Sequence, residues 1–218
     1  MGRWVALAVT GLAATGLTLL VRRGPGALAR AVRVGLASLL LAGTAGYIVG
    51  ETVAGRLSVW DFVPLHLCDF AIFVAAFALL TLRPLAVEIV WFWALSGTVL
   101  AIVTPDVAGS FPEWRWLAYF GLHGAVVASA VVLVVGLGRE PRRGAPWRVF
   151  GWTALYAAIV GVVDLATGAN YLYLRHKPAR PTLLDWFGPW PVYLVVAAAI
   201  GLALFHLLML PFRAGDEA

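Results

Sequence analysis

Cys68, the single cysteine of this 218-residue chain, sits in the string Pro64-Leu65-His66-Leu67-Cys68-Asp69, within a segment otherwise apolar enough to lie in a membrane. Imidazole, thiol and carboxylate groups are costly in hydrocarbon, so such a cluster needs partners or a task. His123 lies at a similar predicted depth on another apolar segment. A thiol facing an imidazole can act as nucleophile and general base, because the thiolate formed by proton transfer is the competent attacker. Taken singly, each residue reads more simply: a buried cysteine as a small packing residue, a buried histidine as a hydrogen-bonded one. Their shared depth is what makes them a candidate catalytic pair.

Other polar residues gather toward the same end. His66 and Asp69, three residues apart, share a helix face near Cys68; they could orient each other, touch a headgroup, or ligate a metal. Asp106, in Thr104-Pro105-Asp106, and Asp164, about one turn inside the sixth apolar segment, are candidates to orient His123 or position a headgroup. Asp164 could equally hold Asn170-Tyr171. An intramembrane carboxylate is paired, neutral or facing water. Arg175 and Lys177 could hold a phosphate by charge. His66, Asn170 or a local backbone N–H could stabilise an oxyanion. Trp186, Trp190 and Tyr193 read as an interfacial aromatic belt. His176 reads as a solvated loop residue, and Glu88 and His206, toward the other end, carry no assigned role.

The elements that must position these groups follow from composition. With 62% hydrophobic and only 12% charged residues, the chain is an integral membrane protein rather than a soluble domain. Seven apolar segments, at 4–21, 31–54, 62–82, 85–104, 116–137, 147–169 and 190–210, are each close to the ~20 residues needed to cross hydrocarbon. The expected architecture is therefore all-α: a single domain over residues 1–218, built as a polytopic bundle of about seven transmembrane helices. In the third helix, Asp61 would cap the start, Pro64 would fall in the first turn, and Cys68 would lie ~9 Å down the axis. In the fifth, His123 would lie ~10 Å down. The first helix is expected to be retained, since only Arg3 precedes it, no small-residue cleavage site follows, and Arg22-Arg23 close it. Short links at Arg83-Pro84 and from Gly138 to Pro146 imply antiparallel packed neighbours.

The net charge of +5 does not indicate nucleic acid, because the basic residues are distributed by side. Ten of the 16 (Arg22, Arg23, Arg30, Arg33, Arg83, Arg139, Arg142, Arg143, Arg148, Arg213) fall on one side, and six (Arg3, Arg56, Arg115, Arg175, Lys177, Arg180) on the other. The positive-inside rule then puts the N-terminus outside, the C-terminus in the cytoplasm and the Cys68 end toward the outer leaflet of the cell membrane. The predominance of Arg over Lys, with abundant Ala and Gly, fits a bacterium with a GC-rich genome.

Five motifs in fixed order carry a resemblance: Pro64 to Asp69, Thr104-Pro105-Asp106, His123-Gly124, Asn170 to Arg175 with Lys177-Pro178, and Leu184 to Pro191. Together they resemble the YwaF-like family of integral membrane proteins over residues ~60–195. Eukaryotic relatives of that family include a transmembrane acyltransferase that remodels ether phospholipids and is thought to use a Cys and a His. By position these match Cys68 and His123. The resemblance implies acyl transfer on phospholipid, with membrane lipids as partners and neither cofactor nor metal. Two alternatives stay open. One is a zinc-dependent lipid hydrolase ligated by His66, Cys68, Asp69 and His123. The other is a non-enzymatic protein that binds or transports lipid; protein partners remain open in each case.

Overall fold

A computed structural model describes residues 2–56, 63–107, 109–178 and 182–212. The described residues fold into seven principal helices. They are α1 (Gly2–Arg23), α2 (Gly26–Val53), α3 (Leu67–Thr81), α4 (Pro84–Val103), α5 (Trp114–Gly136), α6 (Ala145–Thr167) and α7 (Val192–Met209). α4 loosens into a π turn at Ala94–Thr98, and α5 ends in one at Val132–Gly136. Six of the seven are long and apolar enough to cross a membrane. The expected all-helical polytopic bundle is what forms.

α3 departs from expectation. Its 15 residues span only ~22 Å at 1.5 Å per residue, short of the ~30 Å of hydrocarbon. The segment expected to be helical from residue 62 begins at Leu67. His66 stands at the cap position in an extended conformation (φ −66°, ψ 145°), and Pro64 lies outside the helix. Asp61, expected as the cap, falls outside the described residues. Tertiary bonds explain the late start. The Leu65 carbonyl accepts the Tyr156 hydroxyl of α6 at 2.9 Å, and the Leu65 N–H turns back on the Val63 carbonyl at 2.8 Å. The backbone groups that would have entered the helical ladder are already paired.

α5 is the hub. The best membrane-spanning window of this helix is 72% buried, against 17% for those of α2, α6 and α7. α1, α2, α3 and α4 all pack on it. Gly124 permits the approach of α1: a Cβ there would lie 2.6 Å from Thr10 Oγ1, too close for any side chain. The expected pairing of α3 with α4 across Arg83-Pro84 is present, but α6 packs on α4 and α7 rather than on α5. In the loop between α5 and α6, Arg142 reaches across to Glu88 on α4.

Glu88 is fully buried and holds two guanidinium groups. Arg142 donates through Nε at 2.8 Å and Nη2 at 3.2 Å, with its backbone N–H adding a third bond at 3.1 Å. Arg148 donates through Nε at 2.8 Å and Nη2 at 3.0 Å. Paired, multiply bonded geometry of this kind offsets the desolvation of a buried carboxylate. Nearby, Arg33 ties α2 to the end of α3 by donating to the Leu79 carbonyl at 2.6 Å and the Leu80 carbonyl at 3.0 Å.

Candidate functional site at the Cys68 end

Because α3 begins at Leu67, Cys68 is the second residue of the helix and not a residue seven past its cap. The first intrahelical bond runs from the Phe70 N–H to the His66 carbonyl at 3.0 Å, so the amides of Leu67, Cys68 and Asp69 belong to the helix end that precedes the ladder. Cys68 is partly exposed and reduced. The Thr98 side chain, buried in the π turn of α4, is the hydrogen-bonding neighbour of its thiol. Asp69 lies in the same first turn, where a carboxylate complements the positive end of the helix. His66 stands at the cap position of the same helix, extended and just outside the turn that carries Asp69.

His123 is buried in α5, ~14 Å along the helix from Trp114. α3 starts five residues later and α5 two residues earlier than helix counting expects. Cys68 stands at the mouth of its helix and His123 two and a half turns into another. What joins their surroundings is Tyr119. Its ring stacks on the His123 imidazole, with centroids 4.1 Å apart and planes 30° apart, and its phenol lies within electrostatic reach of Cys68. The His123 Nδ1–H donates to the Tyr119 carbonyl one turn back, at 2.7 Å. That bond selects the tautomer with a bare Nε2, the form able to accept a proton. Tyr119 is itself fixed: its hydroxyl donates to the Ala101 carbonyl at 2.9 Å and accepts the Asp106 backbone N–H.

A connector between α6 and α7 closes over this region. Asp164, fully buried near the end of α6, accepts the Tyr171 N–H through Oδ1 at 2.9 Å, while Oδ2 has no hydrogen-bond partner among the described residues. Tyr171 opens a 3-10 turn in which Leu172 (φ 55°) and Tyr173 (φ 56°) both adopt the left-handed conformation. Two consecutive non-glycine residues there store backbone strain that surrounding bonds must hold. The His66 ring lies beside both tyrosines, 5.3 Å from Tyr171 and 5.5 Å from Tyr173. The Tyr173 hydroxyl donates to Asp106 Oδ2 at 3.2 Å. Burial, reinforced by the Asp106 carboxylate, pushes that phenol up to about 12. Tyr193, expected in an exposed aromatic belt, is instead buried, with its hydroxyl donating to the Tyr173 carbonyl. Trp186 and Trp190 are exposed.

The other loop candidates are occupied locally. Asn170 Oδ1 accepts the N–H groups of Arg175 at 2.9 Å and His176 at 3.2 Å, while Nδ2 donates to the His176 carbonyl at 2.8 Å. An amide used in this way closes its own loop and is a poor oxyanion donor. Arg175 donates to the Ala169 carbonyl at 3.2 Å. Lys177 lies 3.9 Å from Asp185 and over the Tyr193 ring. His66, Cys68, Asp69, Asp106 and Tyr171 thus share one region, whereas Asn170, Arg175 and Lys177 brace the connector. Among the described residues, no three His, Cys, Asp or Glu side chains are grouped so as to hold a metal ion. The zinc-hydrolase ligand set of His66, Cys68, Asp69 and His123 therefore does not assemble.

Sequence reasoning passed over Tyr119, Thr98 and Tyr173 as site residues. Tyr119 stands four residues before His123, so its carbonyl was the expected helical neighbour of that imidazole. Thr98 gave no signal, because the π turn that sets its position is not written in hydropathy.

No solved structure matches the chain. An uncharacterized protein of Treponema pallidum (strain Nichols) is 28% identical over 182 residues, covering 83% of this chain and 74% of that protein. The sequence profile of the TMEM164 family matches residues 1–209. With a helical multi-pass bundle on one side of the argument and a match across nearly the whole chain on the other, this protein belongs to the TMEM164 family.

Proposed function

We propose that this protein is a membrane-embedded lipid acyltransferase in which Cys68 is the nucleophile and His123 the general base. The observation that carries the reading is the His123 tautomer: Nδ1–H is bound to the Tyr119 carbonyl, and Nε2 is left as acceptor beside the ring that also borders the Cys68 region. Nε2 takes the thiol proton, and the thiolate attacks the ester carbonyl of a phospholipid. The first-turn N–H of Cys68 replaces Asn170 as the candidate oxyanion donor. Collapse of the tetrahedral intermediate breaks the ester C–O bond, and His123 returns the proton to the departing lysolipid oxygen. A second lipid hydroxyl then attacks the Cys68 thioester while His123 accepts its proton; the thiolate leaves and is reprotonated. The resemblance of the motif series to the YwaF-like proteins and their acyltransferase relatives supports this chemistry.

The charge distribution adds an orientation, with the Arg-rich end cytoplasmic and the Cys68 end at the outer leaflet. Purified protein supplied with acyl-labelled phospholipid and a lysolipid acceptor provides the test. The wild type is expected to transfer label and to carry a hydroxylamine-labile adduct on Cys68, and C68A and H123Q to do neither. Full turnover by both variants removes the mechanism. Labelling of Cys68 in cells by a membrane-impermeant maleimide tests the orientation.

A further inference from the structure

The connector between α6 and α7 is fastened to those helices by several bonds and to the α4–α5 link by one side chain, that of Tyr173. On the helix side, buried Asp164 of α6 accepts the Tyr171 N–H through Oδ1 at 2.9 Å, and buried Tyr193 of α7 donates its hydroxyl to the Tyr173 carbonyl. Trp190, just before α7, donates through Nε1 to the Leu174 carbonyl at 2.9 Å, and Arg175 closes the turn on the Ala169 carbonyl at 3.2 Å. On the other side, the half-buried Tyr173 ring lies 5.5 Å from the His66 ring, and its hydroxyl donates to Oδ2 of Asp106 at 3.2 Å. The phenol there is within electrostatic reach of Cys68, Asp69 and the Tyr119 phenol. Tyr173 thus joins the connector to the α4–α5 link beside the Cys68 region. The backbone that carries it is strained. Leu172 (φ 55°) and Tyr173 (φ 56°) together hold the left-handed conformation, which residues with a Cβ rarely adopt. Such strain persists only where bonds hold it, and is released with them. Of the two groups that grip Tyr173, Tyr193 is buried and Asp106 is exposed, so water competes for the phenol at Asp106.

We propose that the connector is a lid over Cys68 and that Tyr173 is its latch. With the Tyr173–Asp106 bond made, the phenol lies beside the thiol and narrows the way to it. With that bond broken, the strain at Leu172 and Tyr173 drives the turn open and carries the ring away, while the Asp164–Tyr171 bond keeps the root in place. The lid rests on the acyl-transfer reading only for what enters: opening admits the ester, and closure shields the thioester from water. Access to the sulfur is a property of the fold and is read without lipid.

Alkylation of Cys68 in the purified full-length protein tests the lid, with a small reagent (iodoacetamide) and a bulky one (fluorescein maleimide) run side by side. Cys68 is the only cysteine of the chain, so each rate reports one site. Y173F keeps the ring and removes the latching hydroxyl. It is expected to raise the ratio of bulky to small rates about five- to ten-fold, the scale of one hydrogen bond to a carboxylate. D106A is expected to do the same, and Y173F/D106A no more than either alone, because the two groups form one contact. Amide hydrogen exchange within residues 169–174 is expected to quicken in Y173F while α6 and α7 keep their protection, which also shows that the variant is folded. Equal ratios in wild type and Y173F overturn the lid. So does a parallel rise of both rates, which marks a change in thiol acidity, and so do additive effects in the double variant. A ratio shifted as expected, in a protein whose wild type transfers no acyl chain, keeps the lid and removes the acyl-transfer reading.

Discussion

Two fully buried carboxylates of this bundle, Glu88 and Asp164, are held in opposite ways. At the Glu88 end, a single carboxylate is bonded by Arg142 and Arg148, the Arg142 backbone contributes as well, and α4, α6 and their loop are tied into one unit. Asp164, toward the Cys68 end, is held by a backbone N–H through one oxygen only. Its other oxygen has no partner among the described residues, two left-handed residues form the tight connector beside it, and Cys68 stands in the first turn of its helix. Saturation rigidifies; incomplete pairing leaves groups able to change partners. The Glu88 clamp is scaffolding, and the reaction proposed above belongs to the Cys68 end.

That division can be broken by experiment, starting where the effect is largest. C68A is expected to lower acyl transfer by about 1,000-fold or more while leaving the thermal unfolding of the purified protein within a few degrees of wild type. A large loss of stability instead would make Cys68 a packing residue. The converse experiment is the double variant R142A/R148A. It leaves Glu88 buried without a cation, and a loss of about 3–5 kcal/mol in unfolding free energy is expected, with turnover per folded molecule retained.

Next, H123Q keeps a polar side chain in place without a base, and a drop in turnover of about 100- to 10,000-fold is expected. Y119F sharpens the comparison further. It preserves the stacked ring and the carbonyl that fixes His123, and removes only the hydroxyl that bonds the Ala101 carbonyl and the Asp106 N–H. A stability loss of about 0.5–1.5 kcal/mol with turnover within about ten-fold of wild type is expected. Much greater loss of turnover would give the phenol a direct part in the reaction.

The smallest effect concerns the connector. Because the Tyr173 phenol is raised to about 12, its proton is bound more tightly in the folded state than at the ordinary value near 10. Its contribution to stability is therefore complete below about pH 10 and lost as pH rises toward 12. D106N removes the acceptor and the adjacent negative charge, so the phenolate is expected to appear at lower pH. Ultraviolet titration against a Y173F control reads the change; an unmoved titration would show that burial alone sets it.

Much of this architecture was legible in hydropathy. Seven apolar runs became seven helices, because in hydrocarbon the backbone must satisfy itself within each segment. The exception is instructive: Pro64 and Asp61 looked like the first turn of a helix, yet Tyr156, 91 residues away, captures the Leu65 carbonyl and His66 stays extended beside two tyrosines. No local pattern encodes that bond. The same limit applies to Arg142, which reaches Glu88 54 residues away, and to Thr98, placed by a π turn. Cys68 and His123 could be singled out by residue type together with expected depth, but Tyr119, which borders both, emerges only from packing.

The late start of α3 has a consequence for how a reactant would arrive. A helix that falls several ångströms short of the hydrocarbon thickness would set its first turn below the headgroup plane, with the turn at Val63–Leu65 and the extended His66 completing the crossing. Lipid ester linkages occupy that same boundary layer. A phospholipid diffusing sideways would present its carbonyl to the sulfur without being lifted from the bilayer, so the membrane itself would deliver the acyl chain.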